Sequence, residues 1–190
     1  MSRHDASRPD AVRPDAVRPY TRAVLALGSN LGERNDTLCA AVAELVDRPD
    51  VRLRDVSPVV QTRPVGGPSG QPEFLNMVME IETSLDPYGL LEHCQAVENR
   101  HLRTRDVRWG ARTLDVDIIT FGGLSSSDEK LTLPHPRAAE RAFVLYPWAL
   151  MDPQATLADE PVAALAAQAP DFPGIEHFAD DDSCESGATG

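Results

Sequence analysis

Apolar residues recur along this chain with two alternating periods, and the alternation outlines its elements. Ala23 to Leu27 is a short apolar run stopped by Gly28, which predicts a buried strand. Leu38, Ala41, Val42, Leu45 and Val46 follow with the spacing of an amphipathic helix, which Pro49 ends. Val51 to Val60 reads as a strand with charged residues on one edge, and residues 61–73, rich in Pro and Gly, read as a long loop. Phe74 to Thr83 alternates: Leu75, Met77, Met79 and Ile81 point one way, and Phe74, Asn76, Val78 and Glu80 the other. Asp86-Pro87 is a helix start, with Asp as cap and Pro at the first helical position. Leu90, Leu91, Cys94, Val97 and Leu102 give that helix its apolar face. Leu114 to Phe121 is the next strand, closed by Gly122-Gly123, and Leu131 to Leu133 follows a polar loop. Phe143 to Leu150 and Val162 to Ala169 read as short helices. The order βαββαβ, with hairpin-like neighbours, predicts an α+β sandwich with a mostly antiparallel sheet flanked by helices.

The two ends carry no such pattern. Residues 8–19 repeat Arg-Pro-Asp-Ala-Val twice and begin it again, and a Pro at every fifth position blocks helix and central strand alike. From about Pro170 the chain turns acidic, then rich in Ser and Gly. The expected organisation is a disordered extension over 1–21, one folded domain over 22–169 and an acidic disordered tail over 170–190. No apolar run approaches the ~20 residues that span a bilayer, and the N-terminus lacks the apolar stretch of a secretory signal. The three cysteines, Cys39, Cys94 and Cys184, are odd in number and far apart, which argues against a disulfide framework and a structural zinc. A monomer in the reducing cytoplasm, bound to neither membrane nor nucleic acid, is the expectation.

The net charge of −12 hides an uneven distribution. Residues 151–190 hold nine acids and no Lys or Arg, which leaves −3 for the first 150 residues. A general nucleic-acid binder needs a basic surface, and there is none. One local exception stands out. Between Glu98 and Arg112 lie five arginines against two acids, Glu98 and Asp106, a cluster suited to a small polyanion.

Asp115-Val116-Asp117 is the sharpest chemical feature. Residues i and i+2 of a strand face one side, roughly 6.6 Å apart. With Leu114, Val116 and Ile118 on the core side, both carboxylates project together, and Mg²⁺ is the natural counter-ion for such a pair. Alone, Asp-x-Asp is more often two solvated acids; arginines just upstream turn the balance toward phosphoryl transfer. Glu98 falls on the apolar face of its helix, where a carboxylate must be paired or bind something, a salt bridge to a nearby Arg being the plain alternative. Phe74 and Asn76 share a strand face and offer a flat heterocycle a ring and an amide, although such pairs more often simply pack. His135 stands between two prolines and could donate to phosphate. Gly28-Ser29-Asn30-Leu31-Gly32 lacks the spacing of a phosphate loop, and the chain's one lysine, Lys130, is far from it, so these glycines read as turn residues.

Four stretches together carry a resemblance: Leu27-Gly28-Ser29-Asn30-Leu31-Gly32, Gln71-Pro72-Glu73-Phe74-Leu75-Asn76, the run from Arg108-Trp109-Gly110 through Asp117-Ile118, and Leu133-Pro134-His135 with Arg141 and Phe143. In this order they resemble the 6-hydroxymethyl-7,8-dihydropterin pyrophosphokinases of folate biosynthesis, over about residues 22–155. The resemblance implies a ferredoxin-like α+β fold and transfer of pyrophosphate from ATP to the pterin hydroxymethyl oxygen, releasing AMP. It implies that Asp115 and Asp117 hold two Mg²⁺ ions and that Arg103 and Arg112 act in catalysis. Thr62, Val65 and Gly66 would frame the pterin, Phe74 and Phe143 would sandwich its ring, and Asn76 would read its edge. Gln95, Glu98, Trp109, Ile118, Lys130 and Thr132 would line the nucleotide site, and Arg105, His135 and Arg141 would grip its phosphates. Arg63, Asp106 and Pro136 depart from the commonest family pattern. Two other classes stay open on the residues alone: another Mg²⁺-dependent nucleotidyl or phosphoryl transferase, and a non-catalytic module that binds a heterocycle.

Overall fold

The computed structural model describes residues 19–64, 70–101 and 113–178. The chain runs β1 (Thr21–Ser29), α1 (Arg34–Val46), β2 (Val51–Val56), β3 (Val60–Thr62), β4 (Phe74–Thr83), α2 (Pro87–Arg100) and β5 (Asp115–Phe121). A small hairpin of β6 (Ser126–Ser127) and β7 (Thr132–Leu133) follows, then α3 (Ala142–Met151), the hairpin β8 (Thr156–Leu157) and β9 (Glu160–Pro161), α4 (Val162–Gln168) and β10 (Ile175–His177).

The main sheet has the order β10-β3-β4-β1-β5, with β2 also pairing β4. Its described pairings are all antiparallel. The alternation along β4 sorts its side chains as expected: Leu75, Met77, Met79 and Ile81 enter one core, and Val78 enters another. The first core lies beneath α1 and α2, which contribute Leu38, Leu45, Leu90 and Val97. The second lies beneath α3 and α4, through Val144, Leu145, Trp148, Val162 and Ala166. Helices therefore clothe the sheet on both faces. On α2, the Asp86 carboxylate accepts from the Gly89 N–H at 2.8 Å, the cap its sequence predicts.

Several expectations need correction. The apolar run of β1 does not stop at Gly28; the strand continues through it to Ser29. Val51 to Val60 is not one strand. Pro58 offers no N–H to a ladder, so the segment divides at Ser57-Pro58-Val59 into β2 and β3, and Gln61 and Thr62 join β3 rather than the loop. The folded unit does not end at 169, because Ile175, Glu176 and His177 pair with Thr62, Gln61 and Val60. Nor does it begin at 22: Thr21 pairs with Thr83, and the Tyr20 hydroxyl donates to the Pro49 carbonyl at 2.8 Å. Cys94 is a buried free thiol.

The break at Ser57 is mended by its own side chain. The Ser57 N–H donates to the Val78 carbonyl, and the Val78 N–H donates to Ser57 Oγ, both at 2.8 Å. Ser57→Ala is expected to leave the buried Val78 N–H unpaired and to destabilise the fold by about 1–3 kcal/mol. Urea denaturation at constant slope would show it as a lowered midpoint.

Candidate active site

One row of residues crosses four adjacent strands in register: Val60 on β3, Asn76 on β4, Gly28 on β1 and Asp115 on β5. Directly opposed residues of antiparallel strands share a face. Strand spacing puts the Asn76 and Asp115 backbones about 10 Å apart. Between them the row has no side chain, because Gly28 fills the intervening position. A Cβ at Gly28 would lie 2.9 Å from Asn76 Oδ1 and 3.9 Å from the Phe74 ring. Gly28 therefore leaves a gap in the row, with an amide and an aromatic ring on one side of it and a carboxylate on the other.

At the ring end, Asn76 is buried and its Nδ2 donates to Thr62 Oγ1 at 2.8 Å. Thr62 sits directly across from Phe74. Phe143, second residue of α3, is half-buried against the second core. The Arg141 guanidinium lies 5.3 Å from the centre of its ring.

At the carboxylate end, Val116 and Ile118 enter the first core and leave Asp115 and Asp117 on the opposite side, as the spacing requires. Arg141 Nη1 lies 3.7 Å and His135 Nε2 4.0 Å from Asp117 Oδ2. Arg141 thus faces both Asp117 and the Phe143 ring. The His135 N–H donates to the Ile119 carbonyl at 2.8 Å, which ties this loop to β5. Its Nδ1 accepts from the Arg137 N–H at 3.3 Å, so Nε2 carries the ring proton and faces Asp117. Burial holds the His135 pKa below its ordinary value; Asp117 opposes the shift, and Arg141 and Arg137 add to it. The imidazole presents its Nε2 edge to Asp117.

Glu98 is 3% exposed, and its Oε1 accepts from the Val116 N–H at 3.0 Å. It holds the main chain between the two aspartates, a partner that the sequence, which pointed to an arginine or a ligand, did not indicate. Burial, then the charges of Glu98 and Asp117, push the Cys94 thiol far above its ordinary range, so it is not a nucleophile.

The remaining expected residues divide. Gln95 is exposed on α2 and Lys130 is exposed between β6 and β7. Thr132 Oγ1 donates to the Asp128 carbonyl at 2.9 Å. The Ile118 side chain is core, 4% exposed, so anything Ile118 offers a ligand comes from the main chain. Val65, Gly66, Arg103, Arg105, Trp109 and Arg112 lie outside the described residues. Gly28, read from the sequence as a turn residue, lies inside β1 and in the row between Asn76 and Asp115. The available signal was a glycine that interrupts an apolar strand run, a mark of close approach.

Among the described residues no three His, Cys, Asp or Glu side chains gather to hold an ion by themselves. Two carboxylates on one face match the way Mg²⁺ is held, by one or two protein oxygens with the rest from phosphates and water. Gly28→Ala is expected to drive the Asn76 amide off Thr62 and to cost about 1–3 kcal/mol. Thermal denaturation with and without Thr62→Ala would check this, the two losses being less than additive.

Residues 24–153 match the family of 7,8-dihydro-6-hydroxymethylpterin-pyrophosphokinases (HPPK). The chain is 50% identical over 127 residues to the 2-amino-4-hydroxy-6-hydroxymethyldihydropteridine pyrophosphokinase of Bacillus subtilis, covering 67% of this chain and 75% of that protein. It is 42% identical over 156 residues to the protein of the same name from Methylorubrum extorquens, covering 82% and 98%. Among solved structures, a Plasmodium falciparum HPPK-DHPS triple mutant with pteroate superposes with a TM-score of 0.59 at 14% identity, over 78% of this chain and 43% of that one. The wild-type P. falciparum protein with STZ-DHP gives a TM-score of 0.61 at 14% identity, over 81% and 44%. The chain spans less than half the length of these two structures, and the likeness is one of fold. The family match spans most of the sheet and both carboxylates, so the chain belongs to the 7,8-dihydro-6-hydroxymethylpterin-pyrophosphokinase family.

Proposed function

We infer that the chain is an ATP-dependent diphosphokinase of folate biosynthesis that transfers pyrophosphate from ATP to 6-hydroxymethyl-7,8-dihydropterin. The observation that carries this at the level of the site is the row Asn76–Gly28–Asp115: a heterocycle reader and a carboxylate on one face, separated by the gap at Gly28. Asn76 reads the edge of the pterin, and Phe74 and Phe143 offer their rings to its faces. Thr62 orients the Asn76 amide through their hydrogen bond. Val65 and Gly66 belong to the same end in this reading.

Asp115 and Asp117 are the ligands for Mg²⁺, and two ions fit this reading. Bound there, Mg²⁺ would neutralise phosphate charge and make the hydroxymethyl group easier to deprotonate. Arg141 and the His135 Nε2–H donate toward phosphate oxygens beside Asp117, and Arg105 joins them. Arg103 and Arg112 neutralise charge that develops on the transferred group. The pterin oxygen forms a bond to Pβ of ATP, the Pβ–O bond to the α-phosphate breaks, the hydroxyl proton passes to water, and AMP leaves. Gln95, Glu98, Trp109, Ile118, Lys130 and Thr132 belong to the nucleotide end. Among the described residues no helix is long and apolar enough to cross a membrane; a cytoplasmic monomer is the form this reading adopts.

AMP release from ATP should depend strictly on the hydroxymethyl pterin; ADP as the product would overturn the assignment. Asp115→Asn and Asp117→Asn should each lower kcat by about 100-fold or more without unfolding the chain. Activity near that of the parent in both variants would remove the metal-binding reading. Arg112→Ala should fall mainly on kcat, with Arg112→Lys recovering only part, because Lys keeps the charge and loses the two-pronged geometry. Steady-state kinetics separate these outcomes.

A further inference from the structure

The segment Asp171–Phe178 bonds to both ends of the structure that frames the pterin. On one side it reaches α3. Asp171 Oδ1 accepts from the Ala142 N–H at 2.8 Å and so satisfies a first-turn donor of that helix. Ala142 is the residue before Phe143 and the residue after Arg141. One turn along α3, the Tyr146 ring meets Phe172 edge to face, with centroids 5.5 Å apart, and its hydroxyl lies 2.8 Å from His177 Nε2. On the other side the same segment reaches β3. Ile175 pairs with Thr62 and His177 with Val60, and the Phe178 N–H donates to the Val59 carbonyl at 3.3 Å. Thr62 is the residue that holds the Asn76 amide.

Two walls of the ring end therefore share one clamp. Phe143 stands on a helix whose first N–H is held by Asp171. Thr62 stands on β3, whose outer neighbour is β10, and Asn76 on β4, the next strand in. β3 is only three residues long and is cut off from β2 by Pro58, so β10 is its partner opposite β4. The short, mixed sequence of this stretch, with Pro173-Gly174 in its middle, does not announce the role.

We propose that Asp171–Phe178 is a brace that sets the distance between Phe143 and the Thr62–Asn76 pair, with Asp171 as a positioning residue for the pterin. The proposal rests on the pterin-binding reading of Asn76 and Phe143. Asp171 touches no substrate in it; it acts through the first turn of α3.

The test uses the full chain, with ATP and the hydroxymethyl pterin varied separately. Asp171→Ala should raise KM for the pterin about tenfold and leave KM for ATP within about twofold. Asp171→Asn keeps an acceptor oxygen for the Ala142 N–H and should restore the parent value. Tyr146→Phe deletes only the hydroxyl that meets His177; it should raise the pterin KM by about threefold and serves if Asp171→Ala does not fold. A lower melting temperature with an unchanged pterin KM in Asp171→Ala, or an unchanged pterin KM in Tyr146→Phe, would overturn the brace. Asn76→Ala, run alongside, separates the two levels. If it raises the pterin KM while the brace variants do not, only the brace falls. If it too leaves the pterin KM unchanged, the pterin-binding reading of this end falls.

Discussion

The hydrogen bond from the Val116 N–H to the buried Glu98 carboxylate is the constraint on which the rest of the site depends. Asp115 and Asp117 repel one another and stand on β5, the last strand of the sheet among the described residues, so its outer main-chain groups have no described strand beside them. A segment of that kind frays readily unless its outer groups are satisfied. Glu98 satisfies one from α2, and the His135 N–H satisfies another at Ile119. With the backbone fixed at both places, the carboxylates keep a common direction, and Arg141 and His135 can meet Asp117 from the side. A carboxylate buried at 3% exposure would be costly without a donor, and the edge strand supplies one.

The two cores explain where the site lies. The first is continuous under α1 and α2 and takes every second residue of β1 and β4, with Val116, Ile118 and Phe121 of β5. The second lies against α3 and α4 and takes Val24, Val78 and Ile119, toward one end of the same strands. Asn76, Gly28 and Asp115 lie on that second face but toward the other end, ahead of the first turn of α3. The same face thus carries apolar core residues at one end and the Asn76–Gly28–Asp115 row at the other. The transition falls between Val78 and Asn76, two residues apart on β4.

Much of this could be read from the chain, for physical reasons that differ by element. The β4 alternation and the Asp86-Pro87 start of α2 are local: the pattern or cap that forms them lies within the element. The sidedness of Asp115 and Asp117 follows from strand geometry alone. What could not be read depends on partners distant in sequence. Ile175-Glu176-His177 has little strand character and becomes a strand because Thr62, Gln61 and Val60 present an edge. Pro58 was visible, yet the division it causes is seen only once Ser57 is found bonding Val78 twice. Glu98 could be recognised as a carboxylate in need of a partner, but not as one matched to a main-chain N–H eighteen residues later. Gly28 looked like the end of a strand because it interrupts the apolar run, yet it lies inside β1, where a side chain would meet Asn76.

The occupied outer edge of β5 also bears on how copies of this chain meet one another. An unpaired edge is a template on which a strand from a second molecule can add, and runs as apolar as Val116 to Phe121 are prone to it. Here a carboxylate from α2 takes the Val116 N–H, and the loop at His135 takes the Ile119 carbonyl. An incoming strand would have to displace both before it could form a ladder. The groups that fix this strand thereby also hinder growth of the sheet along β5, so changes at Glu98 bear on self-association as well.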